Sequence, residues 1–336
     1  MNKEIKYLPV LNILRGIAAL LVVLFHFVTT TTGYVEDEII RNIFSYGDLG
    51  VTIFFVISGI VIPFSMIKKD YKISNLFSFL KKRMIRVEIP FLASMILGIL
   101  YLIARDYVPS SYGPSLVPSV ETIIYNIFYL VPFNEGVKWI NPVYWTLAIE
   151  FQYYIFLSLF MPLLMQKKIL FRFFFYIMIC VAILLVPEQL FLWFPIFMIG
   201  ISYVLNIYNY INKIEYFLLL LVSCSMILIY HGTGIALTSI ITILIVHFFT
   251  NYTSKIGNFF GNISYSLYLL HTITGTVFIN FMSHHFTEPY QKFIVILGGI
   301  ILSLFSAYLF YKYVEKPSKV LSSKIKYNKQ KGKLSV

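Results

Sequence analysis

The sequence predicts an all-α fold, a polytopic transmembrane helical bundle of about ten spanning helices. Of the 336 residues, 59% are hydrophobic and only 12% are charged, whereas soluble domains carry about 25% charged residues. Apolar stretches of about 20 residues recur along the chain, and each is long enough to cross the ~30 Å hydrocarbon core of a bilayer as a helix. Helices are favoured because lipid offers the backbone no hydrogen-bond partners.

The apolar stretches leave little of the chain outside this bundle. The longest loop, 106–142, contains the apolar stretch ETIIYNIFYLV, which is too short to span and is expected to lie on the surface or to re-enter. No internal repeat or appended soluble region is evident, so residues 1–336 are predicted to form one domain with a basic tail from about 314. The ten candidate spans are 10–29, 50–67, 88–105, 143–165, 169–187, 190–206, 214–231, 233–250, 260–282 and 291–312.

The basic residues predict the orientation of the bundle. If the N-terminus lies inside, all but four of the 27 lysines and arginines fall at inner ends or loops, as the positive-inside rule requires. This places both termini in the cytoplasm and predicts an even number of spans. The net charge of +12 therefore reflects topology, and no nucleic-acid partner is expected. The four outer residues are Arg41, Arg105, Lys138 and Lys292.

The two cysteines, Cys180 and Cys224, both lie in apolar stretches. The sequence has no CxxC pair and no Cys–His cluster, so it predicts neither a disulfide nor a metal site. We expect both cysteines to pack as small hydrophobic side chains.

The first span, LNILRGIAALLVVLFHF, carries two ionisable residues in an otherwise apolar helix. Arg15 and His26 lie eleven residues apart, which places them on one helical face with about 16 Å of rise between them. Taken alone, Arg15 also fits a snorkelling anchor, and His26 a buried histidine bonded to a carbonyl. Ionisable residues at membrane depth usually face the bundle interior and mark function, so we predict that the pair is catalytic.

Two further ionisable residues lie deep in predicted spans. Glu150 is about seven residues, or about 10 Å, into a helix that enters from outside. His26 is the obvious partner at that depth, and Arg15 is the rival. His271 lies about ten residues into a helix that rises from inside, with Tyr268 one turn away. We predict catalytic roles for Glu150 and His271, although a structural hydrogen bond between helices also explains His271.

The stretch FLKKRMIRVEIP opens the third span from the inner side. Lys82, Arg83 and Arg86 are spaced so that two or three of their side chains share one helical face. Topology charge explains such a cluster, but arginine also matches the geometry of phosphate. We therefore predict a phosphate-binding site here. The absence of a Walker A or G-x-G-x-x-G pattern argues against a nucleoside triphosphatase.

Five stretches of the chain resemble the motifs of the membrane-bound acyltransferase-3 family, bacterial enzymes that acylate surface sugars and related acceptors. They occur in the family's order between residue 11 and about 273, and by position they make Arg15 and His26 the core catalytic pair. The chain departs from the family at Asn12, where an aspartate is usual, and at Glu88, where an aromatic residue is common. The stretches are LNILRGIAALLVVLFHF, GDLGVTIFFVISGIVIPFS, FLKKRMIRVEIP, YWTLAIEFQYYIFL and GNISYSLYLLHTI.

The resemblance implies transfer of an acyl group, usually acetyl, from cytoplasmic acyl-CoA (acetyl-CoA) to a hydroxyl of an extracytoplasmic glycan or lipid-linked sugar. It places the protein in the bacterial plasma membrane, with no metal. The basic cluster would hold the donor phosphates, and Arg15 would guide the thioester. His26 would act as general base or would carry the acyl group itself. Glu150 would orient His26, and His271 would be a second acid–base or an acceptor contact.

The alternative function is export of a polysaccharide or lipid-linked sugar without acyl transfer. Histidines and glutamates in membranes also form proton relays, but the repeated halves and broken helices of many transporters are not evident. The expected partners are acyl-CoA, the sugar acceptor and the bilayer, and a homo-oligomer is compatible with the sequence. Tyr112 and Trp139 in the outer loop are candidates for stacking on a sugar.

Overall fold

A computed structural model of the chain describes residues 8–30, 33–107, 116–186 and 188–327. The described residues form helices and no β-strands, so the predicted all-α fold class is confirmed. The α-helices are α1 (Val10–Phe25), α2 (Glu38–Ser45), α3 (Leu49–Lys68), α4 (Leu76–Asp106), α5 (Val120–Ile127), α6 (Tyr144–Leu164), α7 (Ile169–Leu185), α8 (Gln189–Ile207), α9 (Lys213–Tyr230), α10 (Thr233–Phe248), α11 (Lys255–Leu270), α12 (Val277–Ser283), α13 (Pro289–Phe310) and α14 (Lys316–Ser323).

Each of the ten predicted spans coincides with one helix or with two consecutive helices. Among the described residues, seven helical stretches are long and apolar enough to cross a membrane, and α7 and α10 are shorter apolar helices. The predicted span 260–282 is built from α11 and α12, with a π-helical turn, Thr272–Thr276, between them. The chain is therefore a polytopic helical membrane protein. We call the side of the bundle at which α1 begins the inner side.

Helix α4 begins earlier than the sequence predicts. Its first residue is Leu76, about three turns before the predicted start at 88. Phe79 on this extension is only 2% exposed and packs into the core, which gives the extension an apolar face of its own. The basic cluster therefore lies on the inner end of a long continuous helix. In the outer loop, the short apolar stretch forms α5.

The first part of the basic tail is integrated into the fold. A π-helical turn, Tyr311–Glu315, follows α13, and α14 then packs against α4. Glu315 is fully buried. The segment as far as Ser323, where the sequence predicts a basic tail from about 314, is therefore helical and packs against α4. The lysines from 328 onward lie outside the described residues.

Helices α1 and α11 make the closest contact at the inner side of the bundle. A Cβ atom at Gly16 would lie 2.8 Å from the backbone nitrogen of Gly261. A Cβ atom at Gly261 would overlap the carbonyl of Asn12. The Asn12 amide donates hydrogen bonds to the backbone and side-chain oxygens of Asn258 and to the side-chain oxygen of Asn262, at 3.2–3.3 Å. Small residues thus bring two helix backbones together, as is common in membranes.

We expect Gly261→Ala to destabilise the protein by about 1–3 kcal/mol, the usual range for overpacking. The added methyl group meets rigid backbone rather than a side chain that can move. Gly234→Ala is the matched control, because a Cβ atom there has only a side-chain carbon of Leu49 near it, at 3.8 Å. Thermal unfolding of both variants in detergent measures the difference, and equal melting temperatures would contradict the contact.

Candidate active site

The two predicted histidines meet where α1 and α11 end. His26 follows the last residue of α1, and His271 follows the last residue of α11. Their ring centroids are 4.9 Å apart in an edge-to-face arrangement. His271 is fully buried and His26 is half-buried. The structure therefore joins two residues that the sequence placed only on separate helices.

Backbone carbonyls determine where the protons of this pair lie. Nδ1 of His26 is 2.9 Å from the carbonyl oxygen of Val22. Nδ1 of His271 is 3.1 Å from that of Leu267 and 2.9 Å from that of Tyr268. A carbonyl oxygen only accepts, so Nδ1 carries the hydrogen in each neutral ring and Nε2 keeps its lone pair. Nε2 of His271 is buried without a hydrogen-bond partner among the described residues. Both rings are thus prepared to accept a proton or to act as nucleophiles at Nε2.

Three ionisable residues each lie at the end of a π-helical turn. His26 opens the turn His26–Thr30, and His271 directly precedes the turn Thr272–Thr276. Glu315 closes the turn Tyr311–Glu315. Such turns are rare and occur frequently at functional sites. Their coincidence with two of the predicted catalytic residues supports a functional assignment.

A chamber of about 110 Å³, lined by apolar and charged side chains, lies inside the bundle. Glu150 lines it and accepts a 2.7 Å hydrogen bond from the hydroxyl of Ser58 on α3. Arg15, Arg83 and Arg86 line the same chamber. Arg15 of the first span and two arginines of the basic cluster, which were predicted separately, therefore line one space.

The predicted pairing of Glu150 with His26 is wrong. Glu150 bonds Ser58 instead, and the hydrogen bond of the His26 ring goes to a backbone carbonyl. Arg15, the rival partner, shares the chamber with Glu150, although the described residues show no ion pair between the two. The predicted site residues thus form two groups, the histidine pair and the chamber.

The chamber adjoins a larger, cationic space that we call the vestibule. The vestibule is about 500 Å³ in volume and lies at the inner side of the bundle, next to the first residues of α1. It shares Arg15, Arg83 and Arg86 with the chamber, so the two spaces adjoin at these three arginines. Six cationic side chains line the vestibule: Arg15, Lys69, Lys82, Arg83, Arg86 and Lys319.

Aromatic rings hold Arg83 in place between the two spaces. Its guanidinium lies over the ring of Phe79 and the ring of Tyr154, 5.5 Å from each centroid. Cation–π contacts of this kind stabilise a guanidinium without using its hydrogen-bond donors. These two contacts therefore position the guanidinium at the boundary of both spaces.

Sequence reasoning missed Glu315 and Lys319. Lys319 lines both spaces and forms a 2.5 Å ion pair with Glu315. The carboxylate of Glu315 also accepts hydrogen bonds from the backbone amide and the hydroxyl of Ser266 on α11, at 3.1 and 2.5 Å. The sequence does contain a signal for Glu315, because it is an isolated acidic residue between the last apolar span and a basic segment.

The two departures from the family pattern have partners outside the chamber. Glu88 accepts hydrogen bonds from the hydroxyl of Tyr129 at 3.1 and 3.0 Å and lines neither space. Asn12 lines the vestibule and contacts the asparagines of α11. The extra negative charge at Glu88 therefore does not face the cationic vestibule.

Tyr268 lies between the chamber and the histidine pair. It lines the chamber, and its ring centroid is 6.1 Å from that of His271. Its hydroxyl is 2.7 Å from the hydroxyl of Thr146 and donates to the carbonyl of Val143 at 3.3 Å. Neither histidine lines the chamber, so Tyr268 forms part of the barrier between the two groups of site residues.

The structure does not test the predicted sugar-stacking residues or the predicted absence of a metal. Trp139 is half-buried against a core cluster, and Tyr112 lies outside the described residues. No group of three or more histidine, cysteine or acidic residues forms a potential metal site in the part of the chain that the structure describes. That the reaction uses no metal stays a prediction.

Comparison with known proteins identifies the family. A model of the acyltransferase domain of the acyltransferase-3 family matches residues 8–312. No curated protein and no solved structure matches the chain. The family match covers most of the sequence, and it includes the histidine pair, the basic cluster and all of the chamber lining except Glu315 and Lys319. The chain belongs to the acyltransferase-3 family, and its activity is acyl transfer.

Proposed function

We propose that this acyltransferase moves an acyl group, acetyl in the first instance, from cytoplasmic acyl-CoA to a hydroxyl of an extracytoplasmic glycan or lipid-linked sugar. The observation that carries the proposal is that α1 reaches both parts of the site. Arg15 lines the cationic vestibule, and His26 lies in the histidine pair, about 16 Å further along the helix. One helix thus connects a site for an anionic donor with a site for proton transfer.

The vestibule suits the donor because coenzyme A carries several phosphate groups. Lys82, Arg83 and Arg86 would bind these phosphates, as arginine and lysine do in many phosphate sites. Lys69 and Lys319 add positive charge to the same space. Arg15, which lines both spaces, would guide the thioester arm towards the chamber.

The histidine pair suits the chemistry because each Nε2 has a lone pair. In direct transfer, His26 takes the proton of the acceptor hydroxyl as that oxygen attacks the thioester carbonyl. The carbon–sulfur bond then breaks, and the thiolate leaves and takes up a proton. In covalent transfer, Nε2 of His26 attacks the thioester carbonyl first, and the thiolate leaves and takes up a proton. The acceptor hydroxyl then attacks the acyl-imidazole, gives up its own proton and releases Nε2. His271 lies close enough to share a proton with His26 in either route.

Glu150 acts in this proposal within the chamber rather than on the histidines. Its carboxylate, held by Ser58, balances part of the positive charge of Arg15, Arg83 and Arg86. The inner side of the bundle faces the cytoplasm, where acyl-CoA is made, and both termini lie there. The protein belongs in the bacterial plasma membrane, and the acceptor reaches the histidines from the opposite side.

We expect Lys82→Ala to weaken coenzyme A binding about tenfold, since a hydrogen bond to a charged group contributes ~1.5–3 kcal/mol. Lys81→Ala is the matched control, because Lys81 is the preceding residue, is exposed and lines neither space. Titration of coenzyme A into detergent-purified protein measures both affinities. If the two variants bind equally, the vestibule is not the donor site.

We expect His26→Ala to lower acyl transfer by about 10²–10⁴-fold, the usual contribution of a general acid–base group. His247→Ala is the control, because His247 is exposed on α10, away from the histidine pair. The measurement is incorporation of labelled acetyl groups from acetyl-CoA into envelope glycan, in membranes that contain equal amounts of each variant. Full incorporation with His26→Ala would contradict the proposed role.

The same membranes test the exporter alternative. A transporter without acyl-transfer chemistry would leave labelled acetyl-CoA unconsumed in the wild-type protein. Wild-type consumption of acetyl-CoA, together with the loss of labelled ester in the His26→Ala variant, would exclude that alternative.

A further inference from the structure

An apolar groove separates α7 from α9. It has a volume of about 590 Å³, with α8 as its floor, and shares no residue with the chamber or the vestibule. From Ile169 to Leu184 on α7 the groove extends over about 22 Å of helical rise. Most of its lining is hydrophobic and includes Phe173, Ile177, Val181, Leu218, Val222 and Met226.

A buried ion pair joins the two helices at the inner end of this groove. Arg172 donates two hydrogen bonds to Glu215, from Nε and from Nη2, each 2.7 Å long. Tyr176 donates to the same carboxylate at 2.9 Å, and Arg172 also donates to the carbonyl of Gln166. The charge of Glu215 is therefore neutralised within the protein. The pair fixes α7 to α9 at one end, and the groove lies beside it.

The described residues leave part of the groove lining uncovered. The exposed fractions are 45% for Val181, 66% for Leu184 and 57% for Leu218. Because α7 and α9 are apolar helices of a membrane bundle, hydrocarbon is the solvent that meets this lining. One leaflet contributes about 15 Å of hydrocarbon thickness, so the groove is long enough for a whole acyl chain.

The inner mouth of the groove is positively charged. Lys168 directly precedes α7, and Lys213 is the first residue of α9. Both are exposed, as is the neighbouring Lys167. The groove reaches Ile169 and Asn212, which are adjacent to Lys168 and Lys213 in the chain. Lysines at a membrane surface attract anionic lipid headgroups.

We propose that the groove binds one acyl chain of an anionic phospholipid, whose headgroup phosphate lies at Lys168 and Lys213. The apolar lining fits the chain, and the two lysines supply the charge that selects the headgroup. The site is independent of the proposed acyl-transfer reaction, since none of its residues lines the chamber or the vestibule.

Native mass spectrometry of the delipidated protein, titrated with phosphatidylglycerol or with phosphatidylethanolamine of the same chain length, tests this site. We expect one phosphatidylglycerol molecule to be retained in preference. Val181→Trp fills the groove and should lower its retention about tenfold or more. Leu221→Trp is the matched control, because Leu221 is an exposed residue of α9 outside the groove lining, and it should retain the lipid.

A second variant tests the headgroup contact without altering the groove. Lys168→Glu/Lys213→Glu changes only exposed residues, so it remains informative even if Val181→Trp fails to fold. We expect it to bind both lipids equally weakly. Equal phosphatidylglycerol retention by folded Val181→Trp and Leu221→Trp, or an undiminished preference for phosphatidylglycerol in the double lysine variant, would overturn the proposal.

Discussion

The close contact between α1 and α11 is the constraint on which the site depends. The backbones approach at Gly16 and Gly261, where a side chain on either helix would overlap the other. From this contact both helices rise through the bundle and end at His26 and His271, whose rings then lie 4.9 Å apart. A wider separation of the helices at the glycines would also separate the rings. Packing at the inner side thus determines the geometry of the chemical groups further along both helices.

Buried polar groups in this bundle must find partners within the protein, because lipid supplies none. Each histidine finds a partner on its own helix, because its Nδ1 donates a hydrogen bond to a carbonyl three or four residues earlier. Regular helical bonding changes to a π-helical turn at the same points. The backbone satisfies Nδ1, whereas Nε2 of the buried His271 has no hydrogen-bond partner among the described residues. The same bonds that stabilise the buried rings therefore leave Nε2 available for chemistry.

The sequence predicts the spans well because hydrophobicity is local, and it also predicts most of the cationic lining. Arg15, Lys82 and Arg86 lie together because positive residues concentrate at the inner ends of the spans. The error at Glu150 has a physical cause. Helix position gives the depth of a side chain but not the neighbouring helix that it faces, so depth alone suggested His26 where the structure provides Ser58. The sequence did not indicate that Lys319 lines the site, because a packed basic helix and a solvated basic tail have the same composition.

In the proposed reaction, the donor arm has to pass Tyr268, because the histidine pair does not line the chamber. The Tyr268 hydroxyl is bonded to Thr146 and to the carbonyl of Val143, both at the outer start of α6. The same helix carries Glu150 two turns further along. A shift of α6 that breaks these hydrogen bonds would therefore also move the chamber carboxylate, so in the proposed reaction the barrier at Tyr268, on α11, and the chamber depend on the same helix.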